Sequence, residues 1–363
     1  MTFLLACGGS GGHIFPAISV GEELKSRYPE AEIIYACGTK DIENEIFKIV
    51  PKESVFPLES APFRGAFSFF DPRFLLKLTK GFLSARTLLK KIKPAIVVGF
   101  GGYVSFPMLS AAKCMGIKTA LHEQNVVPGR ANRVLAKFVD AVALSHEESL
   151  GKFGALPFFR VTGNPIRASI ENDCREQALE FFGFSASKKT LLVLGGSQGA
   201  ESVNRFFLSC FPYLNPDLRN QIQVLHLCGS MDPKESEKQC REAGLFARAF
   251  SFFDKMDLAY GVTDLCVGRA GATFLAEIEV KRIPAILIPY PFADGHQREN
   301  AKVFSRHSAA AVVEQSDLTP EILADLIQQM FSKIENSFFS SLPSTPRNAR
   351  FVLTDFLTEC AKR

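Results

Sequence analysis

The stretch Gly268–Ala301, GRAGATFLAEIEVKRIPAILIPYPFADGHQRENA, alternates loop, helix and strand in the manner of an α/β domain. Gly268, Arg269, Ala270 and Gly271 form a short loop, a helix is predicted from about Ala272 to Lys281, and a buried strand from Pro284 to Pro289. A loop broken by proline and glycine then opens a second helix near Gln297. A glycine-rich turn feeding a helix leaves first-turn N–H groups without intrahelical acceptors and aimed outward, which suits a phosphate. Glu277 lies further along the same helix, placed to reach a sugar hydroxyl, and Gln297 and Asn300 bring the neutral donors and acceptors that read hydroxyls and amides. Anion cradle, carboxylate and amide cluster, in that order, point to a nucleotide-sugar.

Outward from this stretch the same unit recurs. Thr2 to Cys7 is a continuous apolar run, the mark of a parallel strand covered on both faces. Gly8-Gly9-Ser10-Gly11-Gly12-His13 follows, then a helix with Ile14, Ala17, Ile18, Gly21 and Leu24 on one face and Pro16 in its first turn. The spacing is neither the dinucleotide fingerprint nor a Walker A loop. His13, at the rim of the turn, is the first ionisable group a ligand would meet. An ordinary histidine pKa suits a general base, and helix capping is the alternative reading of this stretch alone. Strands are predicted at Ile33–Cys37, Ala95–Val98, Lys118–His122, Ala141–Ser145 and Arg160–Gly163. Glu123, Gln124 and Asn125 close one of them, at the carboxyl end where α/β sheets bind ligands.

Gly163-Asn164-Pro165 marks a boundary, after which the pattern restarts. Thr190–Leu194 leads into Gly195-Gly196-Ser197-Gln198-Gly199-Ala200, and strands continue at Val224–Cys228, Arg248–Phe252 and Leu265–Gly268. The expectation is an α/β fold of two Rossmann-like domains, 1–163 and 164–340, with parallel sheets facing across a cleft. An amphipathic helix at Leu318–Lys333, a Ser/Pro linker at Ser340–Pro346 and a last helix over 346–363, returning to the first domain, complete it.

Bulk properties narrow the class. The 363 residues are 47% hydrophobic and 22% charged, which excludes disorder and allows two domains. A net charge of +4 gives no nucleic-acid signature. Nine cysteines without a C-x-x-C pair argue against zinc and fit reduced thiols in a cytosol. The N-terminus lacks a basic n-region and reads as a first strand, not a signal peptide. Ala95–Ala112 is uncharged and of membrane-spanning length, but its glycines and Pro107 read as strand, loop and helix.

Ala61–Leu89 carries Phe67, Phe69, Phe70, Phe74, Leu75, Leu78 and Phe82, interleaved with Arg64, Arg73, Lys77, Lys80 and Arg86 and a single Asp71. A core-facing stripe is one reading. An interfacial patch meeting anionic lipid is the other, and the near absence of acid favours it. No Asp-x-Asp occurs, so a diphosphate would be neutralised by helix N-termini and arginine, with Arg167 and Arg269 the nearest candidates.

Seven motifs, GGSGGHIFP (Gly8–Pro16), GFGGYVSFP (Gly99–Pro107), HEQNVVPG (His122–Gly129), GNPIR (Gly163–Arg167), GGSQGA (Gly195–Ala200), RAGATFLAE (Arg269–Glu277) and DGHQRENA (Asp294–Ala301), resemble glycosyltransferase family 28 in their order and across nearly the whole chain. The likeness is to its bacterial members of GT-B fold that add N-acetylglucosamine to lipid I, an undecaprenyl-diphosphate-linked muramoyl peptide. The resemblance implies UDP-N-acetylglucosamine (UDP-GlcNAc) as donor, held mainly by the C-terminal half. The backbone at Phe253 would meet the uracil and Glu277 the ribose. Ser197, Arg167 and the helix start Ala272, Thr273 and Phe274 would lie near the diphosphate, with Arg269, Leu275 and Ala276 also among the donor-binding residues. Gln297 and Asn125 would hold the sugar, with Ser10, Gly11 and Gly12 closing over it, and Asn300 would be a further donor-binding residue. Phe274 stands where the family pattern has Thr.

The same resemblance makes His13 the base of a single inverting displacement by the muramoyl 4-hydroxyl, with no cofactor and no metal. It implies a peripheral enzyme on the cytoplasmic face of the inner membrane, resting Phe67, Phe69, Phe70, Phe74, Lys77, Leu78 and Phe82 on anionic lipid. Its partners would be the donor, lipid I and other cell-wall synthesis proteins, and no nucleic acid. The rivals are a family-28 enzyme acting on diacylglycerol, a non-hydrolysing epimerase, and a sensor that binds a UDP-sugar without catalysis.

Overall fold

A computed structural model describes residues 1–60, 71–156, 158–195, 200–292, 295–335 and 348–363. It contains two all-parallel sheets. The first has seven strands, β1 (Thr2–Ala6), β2 (Glu32–Cys37), β3 (Val55–Pro57), β4 (Ile96–Gly99), β5 (Lys118–Glu123), β6 (Ala141–Leu144) and β7 (Phe158–Val161), in the order β3-β2-β1-β4-β5-β6-β7. The second has six, β8 (Lys189–Leu194), β9 (Ile222–Leu227), β10 (Phe246–Phe250), β11 (Leu265–Gly268), β12 (Ala285–Leu287) and β13 (Ala310–Val312), in the order β10-β9-β8-β11-β12-β13. Helices link the strands, and the two Rossmann-like domains of a GT-B protein result. In each sheet the strand order reverses beside its first strand, between β1 and β4 and between β8 and β11. Loops leaving the carboxyl ends of such a pair part to opposite faces and leave a crevice.

The chain divides into Met1–Arg167 with Asn348–Arg363, and Ala168–Arg347. The division falls beyond the Gly163-Asn164-Pro165 cluster because the residues after it are held by the first unit. The Ile166 carbonyl accepts from Ser19 Oγ at 2.5 Å, and the Arg167 guanidinium lies 4.1 Å from the Phe15 ring centroid. The last helix, Ala349–Lys362, adds Leu353, Phe356, Leu357 and Cys360 to the core built by Ile14, Ile18 and Leu24 of the helix Gly11–Arg27. Arg160 pairs with Glu359 at 2.8 Å along its outer side.

Local details depart from the sequence reading. β3 and β13 were not foreseen; three residues at a sheet edge carry too little pattern to detect. Pro16 is inside its helix, not in the first turn, because the helix already begins at Gly11. The Ser340–Pro346 linker lies outside the described residues. Ala95–Ala112 resolves into β4 and the helix Ser105–Cys114, and no described helix is long and apolar enough to cross a membrane.

The basic segment needs a larger correction. Its helix, Pro72–Ile92, is capped by Asp71, whose carboxylate accepts from the Arg73 N–H at 2.9 Å. Phe74, Gly81, Ala85 and Leu89 recur at helical spacing and are buried. Phe74 is therefore a buried residue, and Phe82, half-buried, packs on the cluster that holds Ala85 and Leu89. Leu78 is half-buried, and Phe67, Phe69 and Phe70 lie outside the described residues. The apolar groups that do face outward are Leu75, Leu76 and Leu83, 41%, 58% and 55% exposed, beside exposed Lys77, Lys80 and Arg86.

Candidate active site

Within the first unit, the loops after β1 and β4 meet at the point where the strand order reverses. They approach so closely that a Cβ on Gly102, whose φ is +76°, would stand 2.0 Å from the Gly8 carbonyl oxygen. Glycine is required there. One buried carboxylate fixes the arrangement: Glu43 accepts the Gly9 N–H at 2.5 Å, the Lys40 N–H at 3.0 Å and the Tyr103 hydroxyl at 2.9 Å. Burial, and then Glu43 itself, push the Tyr103 phenol well above its ordinary range, so it stays a donor.

His13 sits in the first turn of the helix this loop opens, its N–H donating to the Ser10 carbonyl at 3.1 Å. Its ring lies against Gly101, where a Cβ would come within 2.9 Å of Cε1. On the other side, His13 Nδ1 is 3.2 Å from Gln124 Oε1. Gln124 Nε2 donates to the Phe100 carbonyl at 2.8 Å and sits 3.1 Å from His122 Nδ1, and His122 Nε2 is 3.1 Å from the Gly163 carbonyl. Burial holds the His122 pKa down at about 4, with His146 and His13 adding to the effect and the Gly163 hydrogen bond opposing it. It is a neutral imidazole near pH 7.

Glu123 organises the next loop. Its carboxylate, buried, accepts from the Asn125 N–H at 2.9 Å, Asn125 Nδ2 at 3.0 Å, the Gly129 N–H at 3.0 Å and Asn132 Nδ2 at 2.7 Å. Asn125 is thereby held half-buried at the end of β5.

The second unit builds a comparable arrangement after β11. Gly271 precedes the helix Ala272–Lys281, whose opening N–H groups, at Ala272, Thr273 and Phe274, have no carbonyl four residues back within it. Thr273 and Leu275 are buried and Phe274 and Ala276 half-buried. Gln297 Oε1 accepts from the Ala270 N–H at 3.1 Å and the Tyr290 N–H at 3.0 Å, so the donor end of this side chain is its NH2. Glu277 is buried and accepts from the Tyr260 hydroxyl at 2.7 Å. The Phe253 ring stacks among Phe181, Phe182 and Phe250, with centroids 5.9, 5.4 and 4.9 Å away, which anchors the backbone at that position.

Three arginine and amide positions come out differently from the sequence reading. Arg269 is buried and spends its guanidinium on the carbonyls of Ile288 and Pro289, on Ser202 Oγ and on Gln315 Oε1, at 2.6–3.2 Å. Burial lowers its pKa, and none of these four acceptors is a carboxylate. Its charge can act on a ligand by field but these contacts do not aim it at one. Arg167 belongs to the first unit, over Phe15. Asn300, also buried, donates to the Ala270 carbonyl at 3.3 Å and braces the loop instead of standing open on it. Ser197 lies outside the described residues. The sequence reading missed Glu43, Tyr103, Glu123 and the Gln124–His122 pair as supports. Only the clustering of Glu123 and Gln124 at a strand end signalled any of them.

The N-terminal domain of glycosyltransferase family 28 matches residues 3–144, and the C-terminal domain of that family matches residues 190–348. The UDP-N-acetylglucosamine--N-acetylmuramyl-(pentapeptide) pyrophosphoryl-undecaprenol N-acetylglucosamine transferase of Halothermothrix orenii is 40% identical over 92% of this chain and 91% of its own. The enzyme of the same name from Syntrophus aciditrophicus is 38% identical over 91% and 89%. Among solved structures, Acinetobacter baumannii MurG superposes with a TM-score of 0.72 at 25% identity, covering 99% of both chains. The UDP-GlcNAc 2-epimerase of Neisseria meningitidis, bound to UDP-GlcNAc, reaches 0.71 at 13% identity over 99% of this chain and 100% of that one, a likeness of fold alone. With a relative at this identity across nine-tenths of its length and both domains matched in order, the chain belongs to glycosyltransferase family 28.

Proposed function

We propose that this protein transfers N-acetylglucosamine from UDP-GlcNAc to the 4-hydroxyl of the N-acetylmuramoyl unit of an undecaprenyl-diphosphate-linked pentapeptide. The observation that carries this reading is 40% identity over 92% of the chain with an enzyme named for that transfer. The reaction is a single displacement. The acceptor oxygen bonds to the anomeric carbon as the bond to UDP breaks, the configuration inverts, and His13 takes the hydroxyl proton.

The donor falls to the second unit. The opening of the helix Ala272–Lys281 faces the diphosphate with its N–H groups and its positive dipole end, to which the uncompensated charge of Arg269 adds. Glu277, oriented by Tyr260, takes the ribose, the Phe253 backbone takes the uracil, and the Gln297 NH2 takes a sugar oxygen. Ser197 and Arg167 are proposed for the diphosphate, and Asn125 with the Ser10–Gly12 turn for the sugar. The leaving UDP is stabilised by fixed dipoles, with no metal. The enzyme works as a peripheral protein on the cytoplasmic face of the membrane, with anionic lipid meeting Leu75, Leu76, Leu83 and the neighbouring Lys77 and Lys80. Other cell-wall synthesis proteins are its expected partners.

The test is transfer of labelled N-acetylglucosamine, in EDTA, to a lipid I analogue and to diacylglycerol in parallel. Product on the muramoyl acceptor alone is expected, with His13→Ala slower by the ~10²–10⁴-fold typical of a lost base. Binding of UDP-GlcNAc without transfer to either acceptor would overturn the enzymatic reading.

A further inference from the structure

A neutral imidazole has one basic nitrogen, and the assignment of His13 as base does not say which. We infer that Gln124 is a positioning residue that keeps the His13 proton on Nδ1 and so presents Nε2 as the basic atom. The inference rests on the reading of His13 as the base.

The hydrogen bonds settle the direction link by link. His122 Nε2 is 3.1 Å from the Gly163 carbonyl, which can only accept, so Nε2 carries the proton. Ser145 Oγ, 3.3 Å from the same nitrogen, shares it. His122 Nδ1 is then an acceptor, and the group facing it at 3.1 Å must be the Gln124 NH2. The other N–H of that amide goes to the Phe100 carbonyl at 2.8 Å, with the His122 carbonyl at 3.4 Å. A flipped amide would set its oxygen against two carbonyl oxygens and an imidazole lone pair, so the orientation does not depend on distinguishing nitrogen from oxygen. Gln124 Oε1 is left pointing at His13 Nδ1, 3.2 Å away, and it can only accept. His13 Nδ1 must donate.

His122 and Gln124 are 0% and 1% exposed, so bulk water does not compete for the bonds of the Gln124 NH2 to His122 and Phe100, which fix the amide. His122 stays neutral near pH 7 because burial holds its pKa down, and the chain therefore keeps its sense. When His13 gains the acceptor's proton on Nε2, the Nδ1–H bond to Gln124 is unchanged. The amide thus serves both protonation states without turning.

The experiment uses the full chain with 15N-labelled histidine, its imidazole resonances assigned through His13→Gln and His122→Gln. The wild-type protein should show His13 protonated at Nδ1 and His122 at Nε2. Gln124→Met, similar in length but without the amide acceptor, should bring the other His13 tautomer into the spectrum. It should lower kcat by about 10- to 100-fold, less than loss of the base itself, with the KM for UDP-GlcNAc within a few-fold. A wild-type His13 protonated at Nε2 would overturn the inference whether or not the variant folds. So would a Gln124→Met enzyme that keeps its kcat while His13→Ala is slow. If His13→Ala is itself nearly as fast as wild type, the base assignment fails instead, and the tautomer measurement tells the two failures apart.

Discussion

Glu123→Gln separates what a buried carboxylate does for the fold from what it does for the sugar. The wild-type side chain accepts two hydrogen bonds on each oxygen, from Asn125 N and Nδ2 on Oε1 and from Gly129 N and Asn132 Nδ2 on Oε2. Glutamine keeps the shape but turns one oxygen into a donor, so two of the four contacts become donor against donor. A buried donor left unpaired costs about 1–3 kcal/mol. The amide has a choice of which pair to offend, and the two sides are not equivalent. Asn132 is buried at 4% exposure, whereas Asn125 is half-buried and water can reach it. The amide nitrogen therefore turns toward Asn125, and the stability loss stays at about 1–2 kcal/mol.

The functional loss then concentrates on Asn125, whose side chain loses its bond to the carboxylate. One sugar hydrogen bond of ordinary strength, about 0.5–1.5 kcal/mol, corresponds to a KM for UDP-GlcNAc raised by about 2- to 12-fold. Urea titration of the full chain, followed through the transition of the unit Met1–Arg167 with Asn348–Arg363, and steady-state kinetics with the donor varied are the two measurements. Glu123→Ala offends both sides at once and should cost more stability, about 3–5 kcal/mol. The reasoning is refuted if Glu123→Gln moves stability by several kcal/mol with an unchanged KM, or if Glu123→Ala is as stable as Glu123→Gln.

Acid sensitivity should appear in both units, because burial depresses the pKa of His122 in one and His226 in the other from 6.5 to about 4. The unfolded state then binds more protons between those values, so stability is full above about pH 6.5 and falls toward pH 4 by up to about 3 kcal/mol for each histidine. Urea titrations across that range check it: His226→Gln should flatten the loss in the Ala168–Arg347 transition alone, and an unchanged slope would count against burial as the cause. On the helix Pro72–Ile92, Leu75→Ser, Leu76→Ser and Leu83→Ser together should weaken binding to anionic phospholipid vesicles by about 10- to 100-fold, a loss of about 0.5–0.9 kcal/mol for each partly inserted side chain. Phe74→Ser, a core change, should lower stability instead. Vesicle binding that survives the triple replacement would move the lipid contact elsewhere.

Much of this was legible in the sequence, for an identifiable reason. Strands covered on both faces appear as unbroken apolar runs, so β1, β4, β8 and β11 stand out, and glycine clusters mark where they hand over to helices. Strand order does not show in a linear pattern, and the long-range supports that were missed depend on it. Glu43 reaches Gly9 across 34 positions and Gln124 reaches His13 across 111, contacts that exist only because β2 and β5 lie where they do in the sheet. The helix Pro72–Ile92 misled for a different reason. Its phenylalanines attracted attention, yet its inward face is marked by the small residues Gly81 and Ala85, and a Cβ on Gly81 would stand 2.6 Å from the Glu59 carbonyl oxygen.

The supports also differ between the units in a way that chemistry explains. A glycine-rich loop has no side chains with which to hold its own shape, so some neighbour must hold it. In the first unit two of those neighbours are carboxylates, Glu43 for the loop at Gly9 and Glu123 for the loop at Gly129. Around Ala270 in the second unit they are neutral amides, Gln297 and Asn300, and Arg269 beside them donates, among the described residues, to neutral oxygens. A carboxylate brace at that helix N-terminus would oppose the positive dipole end and repel a diphosphate. An amide holds the loop equally well and leaves the positive potential intact. Gln297→Glu should therefore raise the KM for UDP-GlcNAc more than Gln297→Ala does, although it keeps the bracing oxygen. The reverse order would mean that the brace matters more than the charge.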